Sequence, residues 1–113
     1  MKIGIIISTN DPEEVWNAFR FGNTALKANH TVKVFLVNKG VEAENIRSDK
    51  FDVKEQMDSF IGNKGELLAK GEILACRTCM KARFKERSSY YEIASLKDLL
   101  TIVEESDKVL TFG

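Results

Sequence analysis

The chain has one proline, one histidine and only two cysteines, and its formal net charge is zero. Each scarcity removes a class of function. Two cysteines and one histidine fall short of the roughly four nitrogen or sulfur ligands that close a structural zinc site. His30 also stands just before the second predicted strand, at the sheet edge opposite the strand end that carries Cys76. A metal centre would have to be completed across subunits, and none is expected. The one proline, Pro12, is committed to starting a helix, so the chain lacks the cis-proline beside the cysteines on which thioredoxin-like exchange relies. Seventeen basic residues balance seventeen acidic ones, so the basic surplus of a phosphate-binding surface is missing and no nucleic acid is expected as partner. No apolar run approaches the ~20 residues of a spanning helix. The start, Met1 to Ile7, is too short in its apolar part for a signal core. Neither membrane nor export is expected, and the expected compartment is the cytoplasm, where thiols stay mostly reduced. There is no GxGxxG and no GxxxxGK[ST] motif, and no cofactor is expected.

What is present reads as one α/β domain over residues 1–113. A hydrophobic content of 43% in 113 residues suffices to bury a core. Ile3 to Ser8 is a continuous β-branched run, suited to a strand buried on both faces of a parallel sheet. Asp11, Pro12 and Glu14 then predict a capped helix start with a capping box. Val15, Ala18, Phe19, Gly22, Ala25 and Leu26 give that helix one apolar face, with Trp16 at its edge. Thr31 to Val37 is the second strand, Gly40 a turn, and Val41 to Ile46 a short helix. A helix opening at Asp52–Val53 should bury Val53, Met57, Phe60 and Ile61. Gly62 to Gly65 should break it, Glu66 to Lys70 should resume a helical turn, and Glu72 to Ala75 is the third strand. A short extended piece is expected within Ser88 to Tyr91. Ser95 to Asp98 forms a second capping box, and Leu96, Leu99, Leu100 and Val103 are the expected core face of the last helix. Lys108 to Phe112 is a terminal strand. This alternation implies right-handed crossovers and an open, mostly parallel sheet of about five strands with helices on both faces.

The two cysteines form Cys76-Arg77-Thr78-Cys79, directly after Ile73-Leu74-Ala75. Chemistry in open α/β sheets collects at the carboxyl ends of strands. There, free amides of a following helix and the nearby Arg77, Lys81 and Arg83 favour a thiolate at Cys76. The plain alternative is a small buried hydrophobe. His30 is poorly placed to serve Cys76 as a base. The basic run Lys81 to Arg87 reads first as a solvated face. Its nearness to Cys76 gives it the capacity to attract an anionic sulfur donor or an acidic carrier.

The Cys-x-Thr-Cys motif, Arg83 and the ending Asp107-Lys108-Val109-Leu110-Thr111-Phe112 together resemble the DsrE/DsrF-like sulfur-relay family, in its YchN-like branch. The resemblance extends to Val15-Trp16-Asn17, Arg20 and the strand Val34-Phe35-Leu36-Val37. It implies a flavodoxin-like three-layer sandwich that assembles into trimers or hexamers. It also implies a sulfurtransferase-like role in which Cys76 accepts sulfane sulfur as a persulfide from a donor protein and hands it to an acceptor. Arg83 falls at the offset of an arginine in the relay members, and Cys79 matches the second cysteine of the YchN-like branch. Arg77, Thr78 and Arg83 are the expected thiolate-stabilising or donor-binding residues. Two departures stand out. Phe84 replaces a usual glycine after Arg83, and Gly62 to Leu68 looks like an insertion. The competing readings are a dithiol redox module using Cys76 and Cys79, and a non-enzymatic oligomeric binding subunit with Trp16, Tyr90 and Tyr91 at an interface.

Overall fold

The computed structural model describes residues 1–62 and 71–113. The expected break at Gly62 to Gly65, the helical turn Glu66 to Lys70 and the Gly62 to Leu68 insertion fall largely or wholly outside the described residues. In chain order the elements are β1 (Lys2–Ile7), α1 (Pro12–Lys27), β2 (Thr31–Leu36), a 3₁₀ segment (Asn38–Asn45) and α2 (Val53–Ile61). They continue with β3 (Gly71–Cys76), α3 (Arg77–Lys81), β4 (Glu92–Ala94), α4 (Leu96–Glu105) and β5 (Lys108–Phe112).

The five strands form one sheet in the order β4-β3-β2-β1-β5, and every described pairing is parallel. Ile5 lies between Val34 on β2 and Leu110 on β5, which explains why β1 reads as an unbroken apolar run. This is the expected α/β architecture. The reversal of strand order comes when the chain crosses from β4 to β5, back beside β1. In flavodoxin itself the reversal lies between the first and third strands.

Helix α1 starts as its sequence predicts. Asp11 accepts a hydrogen bond from the Glu14 amide at 2.9 Å, and Pro12 occupies the first turn. The reciprocal half of the expected box is different: the Asp11 amide donates to Thr9 Oγ1 at 3.0 Å. Helices α1 and α2 cover one face of the sheet. Phe19 and Phe60 meet there edge to face at 5.5 Å, both fully buried. Burial of each side chain contributes about 1.5–3 kcal/mol. Trp16 packs on Phe51 at 5.2 Å with the Arg20 guanidinium 4.3 Å from its ring centre, so it rims this core.

The opposite face carries α4 and a smaller cluster of Phe35, Cys76, Ala94 and Ile102. Helix α4 approaches β1 closely. A Cβ on Gly4 would stand 2.9 Å from Ile102 Cγ2 and 2.9 Å from Ser106 Oγ, so a side chain there would push the helix off the sheet. Its capping box between Ser95 and Asp98 forms as expected. Its core face does not. Leu96, Leu100 and Val103 are 63%, 56% and 46% exposed, while Ile102 is buried and Leu99 half-buried. The helix is turned about its axis so that the Leu99–Ile102 edge meets the sheet, because Gly4 opens room for Ile102. Ile61, also expected inside, lies exposed at the end of α2. The extended piece expected within Ser88 to Tyr91 is displaced to Glu92–Ala94, where β4 pairs with β3 through Cys76 and Ala94.

Candidate functional site

Three parallel strands end together around the cysteine pair. Cys76 closes β3 with extended backbone and serves as the N-cap of α3, and its side chain is buried. Cys79 follows three residues later, on the same side of the helix turn, and is half-buried. The two thiols are near enough for the Cys76 side chain to act on the titration of Cys79. On the β2 side, the Asn38 amide donates to Cys79 Sγ at 3.2 Å. Asn38 holds a left-handed φ of 54°, which asparagine tolerates better than most residues. That conformation turns the chain from β2 into the 3₁₀ segment and aims the amide at the sulfur. Gly40 completes the turn: a Cβ there would lie 2.1 Å from the Ile7 carbonyl oxygen.

The electrostatics of Cys79 are mixed. Burial pushes its thiol above the ordinary value, and the Cys76 side chain adds to that, while the Asn38 amide and the Arg83 charge oppose it. A thiolate on Cys79 is therefore disfavoured beside Cys76. Both cysteines are free.

Cys76, Arg77, Thr78 and Cys79 line one cavity of about 420 Å³, together with Val37 and Asn38 after β2, and Ala94, Ser95 and Leu96 at the start of α4. The structure thus brings together four of the five residues singled out from sequence. Arg83 stands behind them. Its Nη1 donates to the Cys79 carbonyl at 3.0 Å, and its Nε meets Glu42 Oε2 at 2.8 Å. Arg83 therefore fixes the backbone under Cys79 instead of lining the cavity. Glu42 also accepts from Asn10 Nδ2 at 2.9 Å, and these two partners hold its carboxyl below the usual range, the Asn10 bond first. Glu42 lies 36% exposed in its side chain, so solvent screening limits what the ion pair adds.

A second clasp reinforces the same loop. Glu44, on the 3₁₀ segment, accepts from Lys85 Nζ at 3.0 Å and bonds the Ser88 hydroxyl. The Glu44 amide donates to the buried Tyr91 hydroxyl at 2.7 Å. Tyr90 donates to Asp58 at 2.6 Å. The aromatics considered as interface residues are thus engaged within the subunit. Sequence reasoning missed Asn38, Glu42 and Glu44. The available signal was an asparagine two residues before a glycine at a strand end, which marks a left-handed turn without naming what its amide meets.

His30 lies at the amino edge of the sheet, with its Nδ1 2.8 Å from the Met1 amino nitrogen. Among the described residues no group of three or more His, Cys, Asp or Glu side chains is placed to hold a metal ion. No helix among the described residues is long and apolar enough to cross a membrane.

Fold and site define a small α/β protein with a dithiol at the carboxyl end of its third parallel strand. Comparison with known proteins makes this specific: the chain belongs to the DsrE/DsrF-like family, whose model matches residues 1–112. It is 34% identical to the protein MJ0989 of Methanocaldococcus jannaschii, with 99% of this chain and 100% of that protein aligned. It is 31% identical to MK0008 of Methanopyrus kandleri over 88% of this chain and 83% of that protein. Its fold matches the crystal structure of the YchN protein from E. coli with a TM-score of 0.78, at 20% identity, over 99% of this chain and 100% of that one.

Proposed function

We propose that the protein is a cytoplasmic sulfur-relay subunit that carries sulfane sulfur on Cys76 and passes it to a partner thiol. The observation that supports this most is the shared cavity of Cys76 and Cys79 at a strand end, with the Asn38 amide directed at Cys79. Family membership gives the reading its chemistry. The Cys76 thiolate attacks the outer sulfur of a donor persulfide. A Cys76–sulfur bond forms, the donor sulfur–sulfur bond breaks, and the donor leaves as a thiolate. An acceptor thiolate then attacks the same outer sulfur and returns Cys76 as thiolate. Cys79 gives a second exit: its thiolate attacks Cys76 Sγ, forming a disulfide and expelling hydrosulfide. Arg77 and Thr78 line the entrance and act on the donor, while Arg83 positions Cys79.

The test is intact mass after incubation with a small persulfide donor. One added sulfur is expected in the wild type and in Cys79→Ser, and none in Cys76→Ser. Full labelling of Cys76→Ser with loss in Cys79→Ser would reverse the roles. The opening of both thiols into one cavity also favours a second reading, a dithiol redox module without sulfur transfer. That module would lose two hydrogens reversibly, require both cysteines and hold no stable persulfide. We further propose that subunits assemble as trimers or hexamers through the exposed Leu96, Leu100 and Val103 stripe of α4, since an apolar helix face left in water is a ready interface.

A further inference from the structure

The end of α3 contains a residue that the local backbone disfavours. The Phe84 amide donates to the Lys81 carbonyl at 3.0 Å and the Lys85 amide to the Met80 carbonyl at 2.9 Å. This is the Schellman closure of a helix, and it puts Phe84 at the left-handed position usually held by glycine. Its φ is 56°, a conformation in which the Cβ of an L residue is crowded. The ring repays none of that strain inside the subunit, because Phe84 is 97% exposed. A strained backbone that presents a fully exposed aromatic side chain points to a contact outside the subunit.

Phe84 forms one wall of a groove of about 400 Å³. Met80 and Ile93 supply apolar lining, and Arg77, Lys81 and Lys85 supply cations, with Glu86 as the one acidic lining residue. The cations differ in availability. Lys85 is held by Glu44 and Asn45. Arg77 and Lys81 are exposed and make no salt bridge among the described residues, although Asp98 lies within electrostatic reach of Arg77. Arg77 lines both this groove and the dithiol cavity, so the two adjoin at that side chain.

We propose that the groove docks a segment of the sulfur-exchanging partner protein in which apolar side chains are flanked by carboxylates. The apolar side chains pack on Phe84, Met80 and Ile93. The carboxylates meet Lys81 and Arg77, and the bound segment runs across Arg77 toward Cys76. A second copy of this chain is the poorer occupant. Two such faces brought together by symmetry would oppose like cations, whereas the α4 stripe presents an apolar surface for self-association. That the partner exchanges sulfur rests on the relay reading above; the docking chemistry rests on the groove alone.

The probe is an acetylated, amidated octapeptide with a leucine–phenylalanine pair flanked by three glutamates on each side. It is titrated into the ¹⁵N-labelled full chain and followed by amide shifts. Saturable shifts at Met80, Phe84 and Ile93 are expected, with at least tenfold weaker binding in Phe84→Gly and in Lys81→Glu. No binding is expected for a peptide with lysines in place of the glutamates. Glycine suits the left-handed position, so Phe84→Gly folds, and its melting curve checks this. Wild-type affinity in Phe84→Gly, or shifts that map away from the groove, would overturn the proposal. So would a smaller assembly for Phe84→Gly than for the wild type in light scattering, which would assign Phe84 to subunit contacts. Because the titration involves no sulfur transfer, it can fail while Cys76 takes up sulfur, and it can succeed where Cys76 does not.

Discussion

Replacing Tyr91 by phenylalanine removes a single oxygen from the clasp under the dithiol. The ring is 6% exposed and remains so, which leaves its apolar burial unchanged. Burial pushes the Tyr91 phenol far above its usual range, so it is a neutral acceptor for the Glu44 amide at every ordinary pH. Without it that amide, part-buried at 2.7 Å from the lost oxygen, loses this acceptor. Leaving a buried donor unsatisfied costs about 1–3 kcal/mol. For a chain of 113 residues each kcal/mol lowers Tm by about 4 °C, so Tyr91→Phe should melt about 4–12 °C below the wild type. Urea titration by circular dichroism should give the same loss with an unchanged m value. The effect should extend to the site. Glu44 lies on the 3₁₀ segment whose first residue, Asn38, donates to Cys79, so loosening Glu44 should speed alkylation of Cys79. A destabilisation below about 0.5 kcal/mol, the noise level of a neutral surface change, would show that the Tyr91 hydroxyl does not hold this segment.

Asp58 sets an acid-range signature. The Tyr90 hydroxyl first, and Lys54 second, hold its carboxyl below the ordinary 3.8. A folded value below the unfolded one contributes stability above pH 3.8 and loses it as pH falls through the folded value. Asp58→Asn should therefore flatten stability against pH below that point, and parallel curves for variant and wild type would refute the linkage. Leu100→Glu places a charge on the α4 stripe at a residue already 56% exposed. Monomer stability should change by less than about 0.5 kcal/mol while the mass by light scattering falls, and an unchanged mass would remove that face from the assembly.

The sequence pattern located most elements because each carried its own local physics. Asp11 and Pro12 start α1, and the β-branched run at Ile3 has the character of a strand flanked on both sides. Cys76 could be placed at a strand end because the apolar run before it is short and the chain turns at once into a helix. What the pattern could not carry was orientation. Leu96, Leu100 and Val103 recur at helical spacing, which marks an apolar stripe without stating what covers it. The deciding contact is Gly4 against Ile102, nearly a hundred residues apart. Strand β4 has three residues and no long β-branched run, so Tyr90 and Tyr91 drew the expected extended piece upstream of it. The offset of Arg83 from Cys76 gave proximity but not direction, and the guanidinium turns to Glu42.

The place of β1 in the sheet bears on how the molecule folds. Its partner on one side, β2, follows within some thirty residues, whereas on the other side Ile3 to Ile7 pair with Lys108 to Phe112. The closing contacts are the Asp107 amide on the Lys2 carbonyl at 2.8 Å and the Ser8 amide on the Phe112 carbonyl at 3.0 Å. Closing so long a loop adds little to its entropy cost, since each doubling of length adds only about 0.6 kcal/mol, but pairing over such a separation forms slowly. Until β5 arrives, β1 presents an open edge of uncharged, isoleucine-rich chain, the kind of segment that templates intermolecular strands. The interval between synthesis of β1 and docking of β5 is thus the point at which this protein is most exposed to aggregation, and conditions that slow β5 docking should lower its soluble yield before they lower the stability of the finished fold.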